Sequence, residues 1–324
     1  MSAQPKPKVS TARVKELRDA SGAPIVDCMK ALSAEGVDGD LERAFTWLRQ
    51  RGVAKASAMA GRTAQEGLVC VAASADATLA VLVEVNSETD FVARNARFHA
   101  LASDAARTAL SIAAAQQQQQ QQQRCSFELD VEALLAAQVP GSDGVALRDA
   151  LADAVGAIRE NIRVRRAHAL RADAVGAYVH GAVGEGMGRA AALVALDVDS
   201  GSGGGEHAEV VAAAGKALAM HCVAARPRFL DRGAVPEDVL AKERGIVTGQ
   251  VKDSGKPEAI VAKMVEGRMG KFFAEATLLG QPHMIEEGNP KVEAHMQALS
   301  KRIGGSVRVT GFARFAIGEE GACS

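Results

Sequence analysis

The residues best suited to act on a partner lie in one short segment, Asn86-Ser87-Glu88-Thr89-Asp90-Phe91-Val92-Ala93-Arg94. It is polar, yet it uses a Phe in a chain whose aromatic content is only 3%. A strand-to-helix junction of this composition predicts Thr89 or Asp90 as a helix N-cap, its side-chain oxygen accepting a free backbone N–H. Phe91 then falls in the first helical turn. Two arrangements fit. In one, Phe91 turns inward as a core anchor. In the other, a rigid junction holds carboxylate and ring outward as a wedge for a partner, the pairing of anchor and charge found at binding hot spots. Residue chemistry by itself leans toward the first.

Covalent chemistry has no comparable constellation. The seven histidines are dispersed, with no HxxxH or HExxH spacing, so each is read as a packed or surface histidine and no metal ligand is assigned. Gly181, Gly184, Gly186 and Gly188 form a glycine-rich stretch. No Walker Lys-Ser/Thr follows it and strand patterns flank it on both sides, whereas a dinucleotide cradle needs a helix after the glycines; a wide hairpin turn is the reading. Arg163, Arg165 and Arg166 alternate along a strand without an interleaved aromatic, which predicts a solvated or ion-paired face. Cys28, between Val26 and Met29, reads as a packed thiol. No catalytic residue, metal or cofactor is assigned.

The elements that must position the segment follow from periodicity. Ser10/Thr11 caps a helix over 11–20 with Val14 and Leu17 on one face, ended by Ser21-Gly22-Ala23-Pro24. A second helix carries Val26, Met29, Lys30 and Leu32 and stops at Gly36. Asp38-Gly39-Asp40 opens a third, with Leu41, Ala44, Phe45 and Leu48 at i, i+3, i+4 and i+7. This is a three-helix bundle over 9–53 after a disordered tail at 1–8, and residues 54–66 read as a helical or flexible connector. Leu68–Ala72 and Leu79–Val85, split by Ala75-Asp76, make a hairpin. A helix over 98–115 follows, then the tract Gln116–Gln123, expected as a disordered loop because it lacks apolar surface to offset the entropy of ordering. A helix over 145–162 leads into a strand over 163–169. The second half repeats the plan with strands at 175–180 and 191–197, a helix over 208–224 and a last strand over 307–315. Residues 235–276, broken at Ser254-Gly255-Lys256-Pro257, read as an antiparallel helical arm inserted into this second unit. The fold class is α+β: a bundle, then two related subdomains at 67–169 and 170–321, then a tail at 322–324.

Composition narrows the function classes. Across 324 residues, 38 basic and 39 acidic side chains leave a formal net charge of -1, so no global field draws in a polyanion and direct nucleic-acid binding is not expected. Cys28, Cys70, Cys125, Cys222 and Cys323 form no CxxC pair, which fits a reducing compartment. The first nine residues lack the apolar core of a secretory signal, and no apolar run of about 18 residues is read elsewhere, so no membrane association is expected.

Several strings, in order along the chain, resemble one family. They are Val14-Lys15-Glu16-Leu17-Arg18, Ser21-Gly22-Ala23-Pro24, Asp27-Cys28-Met29-Lys30-Ala31-Leu32 and Trp47-Leu48-Arg49, then Glu84-Val85-Asn86 with Thr89-Asp90-Phe91-Val92-Ala93. Glu160-Asn161-Ile162 with Arg163, Arg165 and Arg166 follows, then Tyr178-Val179-His180-Gly181, Ala219-Met220-His221, Lys263-Met264-Val265-Glu266-Gly267-Arg268, Gly280-Gln281-Pro282 and Thr310-Gly311-Phe312-Ala313-Arg314-Phe315. Over about residues 9 to 321 the chain resembles bacterial-type translation elongation factor Ts. The resemblance implies that the bundle is UBA-like, that the arm is a coiled coil, and that the protein is a guanine-nucleotide exchange factor for elongation factor Tu without covalent chemistry. It implies that Thr89, Asp90, Phe91 and Val92 act at the partner's magnesium site, Phe91 wedging between helices while Asp90 disturbs the network around the ion. It further implies contacts from Val14, Leu17 and Arg18 and from His180 and Gly181, and a possible dimer of factor pairs. The implied location is the bacterial cytoplasm, or a mitochondrial matrix or plastid stroma if a transit peptide has been removed.

Two features depart from the family pattern. The glutamine tract replaces an ordinary loop, and the sequence stops at Ser324, where many members continue into a further partner-contacting helix. Two rival readings are a ubiquitin adapter using the bundle and a nucleotide-binding enzyme using Gly181–Gly188.

Overall fold

The computed structural model describes residues 10–120, 125–199, 207–252, 257–319 and 322–323. The expected tail at 1–8, residues 121–123 of the glutamine tract, Ser254 to Lys256 of the arm's turn and residue 324 lie outside them.

The chain opens with helices α1 (Thr11–Ser21), α2 (Ile25–Leu32) and α3 (Leu41–Met59). The Ser10 hydroxyl accepts the Ala12 N–H and the Asp40 carboxylate accepts the Arg43 N–H at 2.8 Å, so both expected caps form. Val14, Leu17, Cys28, Leu32 and Ala44 close a small core of their own. The third helix runs on into the expected connector as far as Met59. It lies against α6 (Leu147–Ile158), close enough that a Cβ on Gly52 would sit 3.1 Å from the Ala152 carbonyl oxygen. The ion pairs Arg49–Asp149 and Arg159–Asp27, at 3.0 and 3.1 Å, add to this seam.

Two antiparallel sheets follow. The first has the order β3 (Cys125–Leu129), β4 (Arg163–Arg171), β2 (Leu79–Ser87), β1 (Glu66–Ala73), β6 (Met187–Gly188). The second has the order β5 (Ala174–His180), β7 (Ala190–Asp199), β8 (Ser306–Ala316), β9 (Ala322–Cys323). Their inner faces meet through Val69, Leu82, Leu170, Val175, Leu193 and Phe315. On the outer face of the first sheet lie α4 (Ala96–Gln120), α5 (Val131–Ala136) and α6, and on that of the second lie α7 (Ala208–Ala225) and α10 (Val292–Ile303). Covered on both sides, β2 is buried along its whole length, which is why its sequence reads as a near-continuous apolar run.

Both halves share one plan: a hairpin, a helix packed on it, and a later strand that returns antiparallel to the hairpin's second strand. The register of that return slips in each, between Glu84 and Val85 and between Ala195 and Leu196. In the second half, helix and strand approach through Gly215 and Gly176; a Cβ on Gly176 would lie 2.1 Å from the Gly215 backbone.

Four expectations change. Helix α4 continues through Gln120, so the first part of the glutamine tract is helical: a helix already closed on apolar turns propagates at little cost, and Gln is a good helix former. The expected tail includes β9, whose Cys323 pairs with Ala313. The glycine-rich turn is more than a turn, because Met187 and Gly188 add a two-residue strand to β1 of the other sheet. Finally, α7 is long and apolar enough by composition to cross a membrane, but its buried face packs on β5 and β7 as a core helix. The arm consists of α8 (Glu237–Lys252) and α9 (Glu258–Ala276), packed through Val247, Val251 and Met269.

Candidate partner-binding site

Strand β2 delivers the chain into a braced turn. The Ser87 hydroxyl donates to the Thr89 carbonyl at 3.0 Å. The Thr89 backbone N–H and hydroxyl both donate to Glu160, at 2.9 Å to Oε2 and 2.6 Å to Oε1. Beside them, Glu88 Oε1 accepts the Asn161 N–H at 2.6 Å, and Asn161 Nδ2 donates to the Arg62 carbonyl at 2.6 Å. Hydrogen bonds to a carboxylate are the stronger kind, and here two of them converge on one residue. Glu160 itself follows the α6 C-cap, Arg159, held at φ 67.

Beyond the turn, Val92–Arg94 form a single 3-10 turn ahead of α4. Val92 and Ala93 are buried in the core on the outer face of the first sheet, and a ring nitrogen of His99 bonds the Ala93 carbonyl at 2.7 Å. Between these pins Phe91 is 78% exposed, with Asp90 exposed beside it. The expected N-cap role is corrected. Thr89 is committed to Glu160, and Phe91 precedes the short turn instead of opening a long helix. The inward arrangement of Phe91 is likewise overturned. Val92, by contrast, is largely buried.

The ring stands over an open groove of about 370 Å³ lined by Gly22, Val92, Asn95, Arg97, Ala157 and Ile158. Arg97 crosses to the Ser21 carbonyl at 2.8 Å, over Gly22 at φ +63, and so ties the bundle to the start of α4. On the bundle, Val14 and Leu17 are buried in its core and Arg18 is exposed. The apolar side chains that do face out are Ile25, Val26 and Met29 on α2 with Phe45 on α3; Val26, Met29 and Phe45 served in the sequence only to mark the helices, and none was read as a contact. Their signal is a helix with apolar residues on its outer face as well as its inner one. His180 and Gly181 are exposed at the glycine-rich turn, with the Tyr178 hydroxyl 3.3 Å from His180 Nδ1. That turn approaches the Phe91 turn through His99, whose Nδ1 would lie 3.9 Å from a Cβ on Gly184.

In the arginine row Arg165 and Arg166 are ion-paired, as expected, while Arg163 donates to the Ala64 carbonyl at 3.3 Å. Glu84 is fully buried and accepts from Arg165 Nη1 at 3.0 Å, Arg166 Nε at 2.7 Å and Asn86 Nδ2 at 3.0 Å. Both arginines also reach the Glu319 carbonyl at 3.0 Å, and Arg166 stacks 4.2 Å from the Phe315 ring, so this cluster clamps the two sheets together.

The family model for Elongation factor TS matches residues 88–319. Curated relatives named Elongation factor Ts match nearly the whole chain. That of Mesorhizobium japonicum is 42% identical over 315 residues, covering 96% of this chain and 93% of the relative. The relative of Paramagnetospirillum magneticum is 42% identical over 314 residues, 96% and 92% of the two chains, and that of Brucella ovis 43% over 315 residues, 96% and 93%. The chain belongs to the elongation factor Ts family. It is thereby a factor of the elongation stage of protein biosynthesis, and the mixed helix-and-sheet architecture is consistent with an elongation factor Ts fold.

Proposed function

We propose that the protein is a guanine-nucleotide exchange factor for elongation factor Tu and that Asp90 and Phe91 are its working end. The observation that carries this reading is the exposed ring of Phe91 on a turn braced by Glu160 and by buried Val92 and Ala93. A wedge must resist being pushed back, and this one is set against a packed core. Inserted beside the partner's nucleotide site, the ring displaces a helix while Asp90 disturbs the shell of a magnesium ion that bridges GDP's phosphates. Magnesium demands near-ideal octahedral oxygen geometry, so a small displacement loosens the nucleotide. No covalent step is needed.

The coupling is reciprocal. Every 1.4 kcal/mol or so by which the factor weakens GDP is a factor of ten, and GDP weakens the factor equally. Incoming GTP then releases it.

In this reading residues 9–53 are a UBA-like bundle docking through Ile25, Val26 and Met29, with Arg18 at the rim; Val14 and Leu17 hold its shape. The exposed turn at His180 and Gly181 grips a second surface of the same partner, residues 67–169 and 170–321 are the two related subdomains, and α8 and α9 form a coiled-coil arm. The setting is the bacterial cytoplasm, with one factor per partner or a dimer of such pairs. Release of a fluorescent GDP from elongation factor Tu, followed by stopped flow, tests the proposal: the chain accelerates it, and an unchanged rate would refute the function.

A further inference from the structure

The loop between α9 and α10 folds back on α10 and gathers His283, Glu286 and His295, whose candidate ligand atoms all lie within 4.8 Å of one another. His283 is fully buried, and its Nε2 has no hydrogen-bond partner among the described residues; His295 Nε2 is in the same position. Glu286 Oε1 lies 3.9 Å from His295 Nε2, and the two imidazoles meet edge to face at 5.0 Å between centroids. A buried nitrogen without a partner is costly, and two such atoms beside one carboxylate call for a common partner. A cation bound by all three groups satisfies them together.

We propose that His283, Glu286 and His295 form a site for a zinc-class divalent d-block cation, with Nε2 of both imidazoles and the Glu286 carboxylate as ligands and water completing the shell. Two histidines and one glutamate are an established donor set for such ions, with nitrogen ligands at about 2.0–2.1 Å.

The surroundings fit. His221, 5.1 Å away, is saturated: one nitrogen pairs with Gln281 Oε1 at 3.0 Å and the other accepts the Met284 N–H at 3.2 Å, so it walls the site without joining it. His283 Nδ1 accepts the Ile285 N–H at 3.3 Å, which places the ring proton on Nε2. On coordination that proton moves to Nδ1, and the Ile285 hydrogen bond is given up. The His283 N–H donates to the Pro290 carbonyl at 2.7 Å and Pro282 bridges Lys291, so the backbone holding the ligands is already fixed. The half-exposed Glu286 has the freedom to close the remaining distance. An ion enters from a surface groove of about 320 Å³ lined by Glu209, Glu286, His295, Leu299 and Arg302. Once bound, it clips the loop to α10.

The test uses the full chain stripped with a chelator. Titration with Zn2+ is expected to fill one site per chain and to raise the melting temperature, and Co2+ is expected to give visible absorption of a low-symmetry nitrogen and oxygen site. His283→Phe, which keeps an apolar ring in the buried space, and His295→Gln should each weaken Zn2+ binding by more than the roughly 10- to 100-fold cost of losing an outer-shell partner. Glu286→Gln, at a half-exposed position that folding does not need, should weaken it at least about tenfold; it keeps the test decisive if a histidine variant fails to fold. His180→Gln should bind as the parent does. Absence of stoichiometric binding to the parent, or parental affinity in Glu286→Gln and the histidine variants, would overturn the site.

Discussion

A Phe side chain left in water forgoes about 1.5–3 kcal/mol of burial, and the core on the first sheet closes without Phe91, through Phe98, Leu101, Val92 and Ala93. Its neighbours show how the ring is held out. Thr89 is fastened to Glu160 on the N-terminal side, and Val92 is sunk in the core on the other. Glu160→Ala removes both bonds to Thr89. Because they serve a surface turn, the expected cost to global stability is modest, about 1–2 kcal/mol, while the exchange rate falls several-fold as the wedge loses its backing. Denaturant melts beside GDP-release rates check this; equal loss in both would mean that Glu160 acts only on the fold. Phe91 was legible in the sequence as a scarce aromatic in a polar run. Its brace was not, because Glu160 is 71 positions from Thr89 and nothing local signals the pairing.

Elements with their own periodicity were readable. The hairpin of β1 and β2 and the caps of α1 and α3 follow from apolar spacing and turn residues. Those whose reason is tertiary were not. β6 is two residues long and exists only because β1 offers an edge, and β3 follows the glutamine tract with a partner, β4, nearly forty residues later. α10 was missed although Val292, Met296, Leu299 and Ile303 mark a buried helical face. In the same way His295 joins His283 and Glu286 only when the loop returns to α10. At this scale Glu84 is the critical joint. Glu84→Ala leaves Arg165 and Arg166 without their buried counter-ion, and breaking such a pair costs about 3–5 kcal/mol. The expected value is near 3, because the Arg165 side chain keeps 32% exposure. Urea unfolding measures it; a loss under about 1 kcal/mol would mean that the clamp between the sheets is incidental.

Across the whole molecule, burial sets the acid limit of the fold. His168 is buried on β4, its Nε2 2.9 Å from the Ser126 hydroxyl, and burial pushes it down to about 4 from an ordinary 6.5. The folded state therefore keeps the ring neutral while the unfolded chain takes up a proton below pH 6.5, so stability falls with pH between 6.5 and 4 and this contribution is level above 7. Over that window the loss from this group approaches about 3 kcal/mol. His168→Gln should flatten the slope in urea melts taken at pH 7, 6 and 5, and an unchanged slope would assign the acid sensitivity elsewhere.

The central claim is that a surface ring, fixed by the fold yet unnecessary to it, opens another protein's nucleotide site. Stopped-flow GDP release from elongation factor Tu, comparing the parent with Phe91→Ala, measures this directly. The expected result is loss of most of the acceleration with unfolding stability unchanged within about 0.5 kcal/mol, because an exposed side chain leaves no cavity. A variant that releases GDP as fast as the parent would contradict the account.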